Sequence, residues 1–374
     1  MDPAGTADDA RSTALIRWAG WGHALGRAPR KLIAGSVLLI VFAIVACFAE
    51  FIAPYDYREQ NRREPGAPPS ALHFRDTAGS FHFRPFIYSL KLADPLTRRY
   101  DEQTARSYPI SFFTRGSSYQ LLGIYRTNVH LFGVDPSGSQ TAPRIQILGN
   151  DDLGRDRFSR LLAASRFSLI VSPAGAILAS CLGILLGCLA GYAGRLADGA
   201  LMRIADAMMA LPVLVLVLAA RAAFPPELPP LRAATLVISI FVAVGWAEMA
   251  RLSRGLVLSL RHREFVTAAI SVGASRSRVL FRHILPNSMR PLTIQFLLML
   301  PAFLLTETSL SFLGVGLQEP EPSWGNMLTS ASDLTLLRSQ PLVLLSPAIC
   351  IFLFVLAVRL VSDGISSRGA EARP

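Results

Sequence analysis

Lysine is nearly absent from this chain, which has only Lys31 and Lys91 among its 374 residues. Neither lysine follows a glycine, so the GxxxxGK loop that holds nucleotide phosphates occurs nowhere in the sequence. Any process driven by ATP would therefore need an ATP site on another subunit.

The sequence also lacks the short motifs of common hydrolytic and redox centres. It contains no GxSxG, HExxH, CxxC or SxxK pattern. Its four cysteines lie inside apolar runs, which is typical of small buried side chains rather than of disulfides or metal ligands. They are Cys47, Cys181, Cys188 and Cys350. These absences disfavour an enzyme, and we expect no metal site and no cofactor on this chain.

Charged residues are scarce at 17%, whereas hydrophobic residues make up 51% and the mean hydropathy is +0.39. This composition predicts a protein that crosses a membrane several times. The net charge of +11 comes almost entirely from arginine. Because the arginines cluster beside apolar segments, as cytoplasmic loop residues do, the charge indicates a lipid bilayer as partner and disfavours nucleic acid.

Apolar runs of about 20 residues, each long enough to cross roughly 30 Å of hydrocarbon, divide the chain. We expect a mostly α-helical bundle of six spanning helices at residues 32–53, 167–190, 205–220, 233–250, 291–312 and 342–361. The first run is longer than the apolar core of a signal peptide, so we interpret it as an uncleaved helix. A cytoplasmic segment, 1–31, precedes it. The membrane core comprises 150–364, and a cytoplasmic tail comprises 365–374.

Residues 54–149 are rich in Pro, Gly, Ser, Arg and aromatic residues, unlike the apolar runs on either side. Alternating stretches such as SFHFRPFIYSL and HLFGVD predict short β-strands, with a hairpin turn at residues 77–79. His73 and His82 lie here, but no third ligand follows at the spacing of a metal site. We expect a β-rich, extracytoplasmic insert between the first two spanning helices.

Residues 263–287, named the elbow below, form a polar, arginine-rich island between apolar stretches. Spacing of three and four residues places a small apolar set on one stripe of a short helix. This set is Phe265, Ala268, Ala269 and Val272. The pattern alone fits either an amphipathic loop on lipid headgroups or a knob that docks on another protein.

The elbow also carries signals for a turn between two short helices. Gly273 permits a positive φ angle, and Ser275 can cap a second helix that begins at Arg276. Pro286 disfavours helical geometry in the residue before it. We therefore expect the second helix to end by about Ile284.

The elbow resembles the cytoplasmic coupling loop of bacterial ABC-importer permeases of the oligopeptide/dipeptide/nickel subfamily. The shared pattern is two alanines, three residues, a glycine and then HILPN. Two further stretches resemble the same subfamily: GNDDLGRDRFSR at 149–160 and LSFLGVGLQEPEPSWGNML at 310–328. The resemblance covers about residues 148–364 and the first span. Thr267 and Asn150 depart from the subfamily pattern, which has an acid and a threonine there.

The resemblance implies the fold of a type I ABC-importer permease in the bacterial inner membrane, forming half of a pathway for peptides or related small solutes. It implies a second, homologous permease, two cytoplasmic ATPases that hold ATP and Mg²⁺, and an extracytoplasmic substrate-binding protein. The loop 251–290 would contact the ATPase. The residues that the resemblance assigns to this coupling are Glu264, Thr267, Ala268, Ala269, Gly273, Ala274, Leu285 and Pro286.

Charge asymmetry between two loops predicts which side each faces. Loop 251–290 carries eight arginines and a single acid, Glu264, whereas loop 314–341 carries Arg338 as its only base and three acids. Because basic loops stay in the cytoplasm, both loops predict cytoplasmic N- and C-termini.

Acids inside spans are candidates for function, because a charge at mid-membrane costs about 2.5–3.5 kcal/mol on insertion scales. Glu307, flanked by Thr306 and Thr308, is the deepest. It fits either a pore-lining residue or a member of a buried structural pair. We expect Asp206 and Glu248 to lie nearer the cytoplasmic ends of their helices.

Small residues and prolines indicate how the helices pack and bend. Gly183, Gly187 and Gly191 recur every four residues, which gives one helix a small-residue face for close packing, most simply within the subunit. Pro212 and Pro301 interrupt helical runs, and each can kink its helix.

Two alternatives to an ABC permease remain at this stage. A membrane-bound enzyme with the insert as its catalytic domain would need one of the absent motifs. An ion-driven secondary transporter would need inverted repeats and more intramembrane acids than Glu307 supplies.

Overall fold

Long helices make up most of the chain. The computed structural model describes residues 30–77, 79–94, 98–121, 123–134, 143–192, 195–210, 212–225, 228–332, 337–338 and 340–371. Five described helices are long and apolar enough to cross a membrane: Arg30–Cys47, Arg157–Tyr192, Pro230–Leu260, Arg276–Phe312 and Ser346–Ser367. The predicted membrane-spanning, mostly helical class is therefore confirmed.

Shorter elements connect these helices. The helices in chain order are α1 (Arg30–Cys47), α2 (Ala49–Ile52), α3 (Arg157–Tyr192), α4 (Arg195–Ala210), α5 (Val213–Ala222), α6 (Pro230–Leu260), α7 (Glu264–Ser271), α8 (Arg276–Val279), α9 (Leu285–Phe312), α10 (Trp324–Met327), α11 (Pro341–Leu344) and α12 (Ser346–Glu371). A π turn, Leu280–Ile284, joins α8 to α9, and a 3₁₀ turn, Leu328–Ser332, follows α10.

The predicted third span, 205–220, is not a single helix. α4 ends at Ala210 and α5 begins at Val213, with Pro212 between them. Proline lacks an amide hydrogen and its ring collides with the carbonyl four residues earlier, which explains the break. Neither piece has the roughly 20 residues that a span needs. The predicted span is therefore broken at Pro212, which the sequence indicates can kink its helix. The described residues contain five helices of spanning length, so the sixth span stays a prediction.

The described helices extend beyond the predicted spans. α6 continues to Leu260, well past the predicted end at residue 250. This extension places Glu248 farther from the C-terminal end of its helix than the predicted bounds did, although that end is still the nearer one. Pro301 lies inside the unbroken helix α9. In the core, Phe241 of α6 stacks on Phe303 of α9 with 4.5 Å between ring centroids.

A four-stranded antiparallel sheet lies between α2 and α3 in the sequence, in the order β1-β2-β3-β4. The strands are β1 (His73–Arg75), β2 (Phe81–Asp94), β3 (Arg99–Leu121) and β4 (Tyr125–Val134). β2 and β3, with 14 and 23 residues, are longer than the short strands predicted, and bulges interrupt their registers. At the β1–β2 connection, Gly79 has a φ of +85° and its amide donates to the Asp76 carbonyl over 3.0 Å. Residue 78 of the predicted turn lies outside the described residues.

The sheet is attached to the end of α2 through a buried histidine. His130 of β4 is 2% exposed, and its Nδ1 lies 2.5 Å from the carbonyl oxygen of Ala53. Its Nε2 lies 3.0 Å from the carbonyl oxygen of Ser117. Nearby, Arg166 of α3 forms an ion pair with Glu50 of α2. The His130 contact therefore joins the sheet to the end of α2, and the ion pair joins α2 to α3.

Candidate functional site

The elbow is a helix, a tight turn and a second helix. α7 ends before Gly273, whose φ of +85° an L side chain would rarely adopt. The Ser275 hydroxyl then accepts a hydrogen bond from the Arg278 amide over 3.4 Å and caps α8, as predicted. The sequence therefore predicted the turn and the cap correctly.

One face of the elbow is anchored in the chain's own core. Val266 and Ala269 of α7 are buried together with Val279 and Ile284. This cluster also includes Val257 of α6 and Cys188 of α3. The elbow is thus packed against the ends of two spanning helices.

The opposite face of the elbow is apolar and exposed. Of the predicted stripe, only Ala269 is buried, whereas Phe265 is 39% exposed, Val272 is 84% exposed and Ala268 is exposed. Three of the four stripe residues are therefore not covered by the residues that the structure describes, whereas Ala269 packs in the buried cluster. The exposed set continues with Ile270 and Phe281. Several large apolar side chains exposed on one short segment indicate a candidate binding face.

The remaining coupling candidates lie around this face. Glu264 and Thr267 are exposed on α7, and neither contacts a charged partner within the described residues. Ala274 and Leu285 are half-buried, and Pro286 is exposed. These residues and the exposed stripe therefore share one end of the molecule.

The second elbow helix does not end at Ile284, contrary to the prediction. α8, the π turn and α9 form one continuous helix, Arg276–Phe312. Within the π turn, the Leu285 amide donates to the Leu280 carbonyl five residues back, which widens the turn just before Pro286. Proline is tolerated in the first turn that follows, because no amide is required there. The elbow therefore leads directly into α9.

Glu307 is buried between helices. Its carboxylate accepts hydrogen bonds from Ser168 of α3 over 3.0 Å and from Ser311 over 2.8 Å, and the residue is 1% exposed. The described residues provide no cationic partner for it. Thr308 is also buried, and its hydroxyl makes no hydrogen bond among the described residues. Of the three candidates, Thr306 lines a cavity among the described residues.

That cavity, of about 420 Å³, lies between α4, α6 and α9. Three polar residues line it: Glu248, Gln295 and Thr306. The rest of the lining is largely apolar and includes Met208, Met209, Leu298, Met299 and Phe303. Glu248 is exposed and has no hydrogen bond or ion pair to any described residue. Sequence reasoning identified Glu248 only as an acid nearer a helix end, because the predicted end of its helix at residue 250 was too early. It did not single out Gln295, which lies in α9.

The glycine face packs against α6 of the same chain. A Cβ atom on Gly183 would lie 2.6 Å from the Cβ of Met249, and one on Gly191 would lie 2.6 Å from Cγ1 of Val257. Gly187 faces the backbone of Ala250 between them. Any larger side chain would push α3 and α6 apart.

The other two motifs meet at the opposite end of α3. Glu319, from the stretch 310–328, accepts hydrogen bonds from Arg155 over 2.5 Å and from Arg160 over 2.7 Å. Within the turn, the Asp151 carboxylate accepts from the amides of Leu153 and Arg155. The turn is therefore closed on itself and linked to the distant loop.

Burial perturbs one carboxyl at this junction. Asp156 precedes α3 and its Oδ2 accepts from the Ser159 amide over 2.7 Å and from the Ser159 hydroxyl over 2.6 Å. Burial raises the pKa of Asp156 to about 6, although the two hydrogen bonds from Ser159 act in the opposite direction. Its Oδ1 is buried without a partner among the described residues.

Comparison with known proteins gives two family matches. The model described as "Binding-protein-dependent transport system inner membrane component" matches residues 183–368, which include the elbow and the residues around the cavity. The model described as "N-terminal TM domain of oligopeptide transport permease C" matches residues 31–69. The four-stranded sheet lies between these two matched regions.

Curated relatives match over most of their own length. The oligopeptide transport system permease protein OppC of Bacillus subtilis is 39% identical over 220 residues, or 58% of this chain and 68% of that protein. The di/tripeptide transport system permease protein DppC of Pseudomonas aeruginosa is 39% identical over 219 residues, or 59% and 70%. The dipeptide transport system permease protein DppC of Alkalihalophilus pseudofirmus is 34% identical over 253 residues, or 67% and 81%.

Proposed function

We propose a detailed function from one premise: the chain belongs to the family of binding-protein-dependent transport system inner membrane components. As a member, it is a permease subunit of an ABC importer and not an enzyme. We propose that it carries peptides or related small solutes, which is the substrate class named for its relatives. ATP and Mg²⁺ would bind to separate ATPase subunits.

The exposed apolar face of the elbow is the observation that carries the proposal. Phe265, Ala268 and Val272 are exposed among the described residues, while Val266 and Ala269 anchor the other face. A short helix whose buried face is packed in the core and whose exposed face is apolar suits binding in a groove of another protein. We propose that a cytoplasmic ATPase supplies the groove.

The connection from the elbow to the bundle supports a mechanical role. α8, the π turn and α9 are continuous, and the anchored cluster also includes residues of α3 and α6. A displacement of the elbow would therefore move three spanning helices together. ATP would favour one of two arrangements by binding more tightly to it, since a ligand shifts an equilibrium only by its differential affinity.

The cavity between α4, α6 and α9 is the proposed half of the translocation pathway. Glu248, Gln295 and Thr306 give an otherwise apolar wall three polar groups. Unpaired acids inside a membrane protein usually face a water-filled path or a partner. We propose that a second, homologous permease closes the pathway opposite this wall.

We propose that both termini lie in the cytoplasm and that the sheet lies outside, where a substrate-binding protein docks. The charge asymmetry of the two loops supports this orientation. Two termini on the same side require an even number of crossings, whereas the described residues contain five helices of spanning length. We therefore propose that α4 and α5 together make the third crossing. The apolar sequence VLVLVLAARA of α5 is consistent with such a broken span.

Ala268→Arg tests the proposed docking face. The change adds a charge to the exposed face without entering the anchored cluster, and burying it unpaired at an interface would be costly. We expect copurification of the ATPase subunits with the tagged chain to fall at least about tenfold, equivalent to ~1.4 kcal/mol. Ala269→Arg is less informative, because Ala269 is only 8% exposed and its replacement would disturb the core.

Leu153→Arg is the matched control. It adds the same charge to a side chain that is 51% exposed at the opposite end of α3. We expect this variant to retain its ATPase subunits. Full retention by Ala268→Arg as well would contradict the docking proposal and favour an elbow that rests on lipid headgroups.

A further inference from the structure

Three buried arginines line a pocket where the turn 149–160 meets the loop 310–328. Arg155, Arg157 and Arg160 are 6%, 7% and 3% exposed. The pocket has a volume of about 240 Å³, and Asn326, Thr329 and Ser330 complete one wall. A buried arginine normally pairs with an acid, so an acidic partner is expected for each of the three.

Two of the arginines are fully engaged. Arg155 pairs with Asp151 over 2.7 Å and with Glu319 over 2.5 Å. Arg160 pairs with Glu319 over 2.7 Å and lies 3.8 Å from Asp151. Two arginines and two carboxylates therefore neutralise one another.

The third acid of the pocket, Asp152, already has a different cationic partner. Asp152 forms an ion pair with Arg98, outside the pocket wall. Arg157 is the remaining charge: its Nε donates to the Asn150 carbonyl over 2.9 Å, and its two terminal nitrogens have no acceptor among the described residues. Within the described residues, Arg157 thus presents to the pocket a positive charge that no ion pair compensates.

The backbone around Arg157 is held firmly in place. The Arg157 amide donates to the Gly149 carbonyl over 3.0 Å, and the Asn150 amide donates to the Ala67 carbonyl over 2.9 Å. The Asn150 side chain donates to the Glu64 carbonyl over 3.0 Å. A buried donor held in this way is preorganised for a ligand.

We propose that this pocket binds a carboxylate group, with the terminal nitrogens of Arg157 as its charged donors. A guanidinium matches the two oxygens of a carboxylate, and a single residual charge suits a monoanion. The pocket volume is sufficient for one carboxylate and the few carbon atoms that carry it, but not for a folded piece of polypeptide. On the proposed function, its source is either an acidic side chain of the substrate-binding protein or the C-terminus of a transported peptide.

Acetate is the probe for the site itself, used with the purified full chain in detergent at constant ionic strength. We expect acetate to raise the thermal unfolding midpoint of the wild type, whereas the neutral isostere acetamide does not. The response should vanish in Arg157→Gln and persist in the control Arg99→Gln, which removes an exposed arginine of β3. An equal response in wild type and Arg157→Gln, or none in the wild type, would overturn the proposal.

Arg157→Lys covers the case in which Arg157→Gln does not fold. It keeps the charge in the pocket but loses the paired geometry of the guanidinium. We expect a smaller, still acetate-specific shift. A shift larger than that of the wild type would contradict recognition by the guanidinium.

The assembled transporter distinguishes the two sources. With an acidic side chain as source, Arg157→Gln raises at least about tenfold the concentration of binding protein that half-stimulates ATP hydrolysis. With the peptide as source, it removes the preference for a dipeptide over its C-terminal amide. No change in either measurement would overturn both assignments. Failure of the wild-type complex to transport would instead count against the proposed function, because the acetate measurement does not depend on transport.

Discussion

Arg160 donates from Nη2 to Oε1 of Glu319 over 2.7 Å, across 159 residues of sequence. The bond joins the start of α3 to the loop that follows α9. Glu319 also accepts from Arg155. A single carboxylate thus holds together two stretches that resemble the same permease subfamily.

Glu319→Gln should destabilise the chain markedly. The change leaves Arg155 and Arg160 buried with much of their charge uncompensated. Because the Glu319 side chain is itself 53% exposed, we expect a loss of about 2 kcal/mol rather than the larger cost of a fully buried pair. The measurement is the thermal unfolding midpoint of the purified chain. Asp152→Asn, which removes an exposed carboxylate from the same turn, is the control, and an equal effect of both variants would contradict the account.

Gly187→Ala should weaken the packing of α3 on α6. The added methyl group would lie 2.8 Å from the Cβ of Ser253, and the facing backbone cannot yield as a flexible side chain can. We expect a loss of about 1–3 kcal/mol, as for other overpacked sites. Gly255→Ala in α6 is the control, since nothing lies within 4 Å of its added Cβ. A destabilisation no greater than in the control would show that the helices are not closely packed at Gly187.

The Asp156 carboxyl should make stability fall with rising pH. Burial raises its folded pKa to about 6, whereas an unfolded aspartate titrates near 3.9. Between about pH 4 and pH 6 the folded chain keeps a proton that the unfolded chain has lost, so stability decreases as pH rises through this window. Asp156→Asn removes this titration while keeping a good helix cap.

We therefore expect the free energy of unfolding of Asp156→Asn, relative to that of the wild type, to rise by ~3 kcal/mol between pH 4 and pH 7. This value corresponds to about two pKa units at 1.36 kcal/mol each. Ser159→Ala supplies a second comparison. It removes a hydrogen bond to the ionised carboxylate, so its stability should fall more steeply with pH than that of the wild type. Parallel pH curves for wild type and Asp156→Asn would contradict the assignment.

Thr306 and Glu307 are adjacent but should differ in accessibility. Thr306 lines the cavity, whereas Glu307 is 1% exposed. In a chain whose native cysteines are replaced by serine, we expect a membrane-impermeant thiol reagent to modify Thr306→Cys at least about tenfold faster than Glu307→Cys in the assembled transporter. Equal rates would place Glu307 on the aqueous path and contradict its structural role.

Local signals in the sequence predicted the elbow well. The positive φ of Gly273 and the cap at Ser275 follow from properties of single residues, so one sequence suffices to predict them. The end of α8 could not be predicted this way. The conflict at Pro286 is relieved by a π turn, which is a rearrangement of several hydrogen bonds that no local preference specifies.

Predictions that depend on neighbouring helices were less reliable. The sequence indicated that Glu307 was important but could not show that Ser168 of α3 hydrogen-bonds it. Both Pro212 and Pro301 can kink a helix, yet α4 and α5 are separated at Pro212 whereas Pro301 lies inside one helix, a difference that proline alone does not specify. The stripe of Phe265 and Val272 was predicted correctly as a face, yet periodicity cannot tell whether a chain covers its own apolar face.

The most direct test of the central claim is the side of the membrane on which the elbow lies. Val272→Cys, in a chain whose native cysteines are replaced by serine, provides a label site that is 84% exposed on the proposed docking face. We expect an impermeant maleimide to label this cysteine in inverted membrane vesicles but not in intact cells whose outer membrane has been permeabilised. In the vesicles, excess ATPase subunit should slow the labelling. Labelling in intact cells would contradict the account, since a docking face on the outside could not meet a cytoplasmic ATPase.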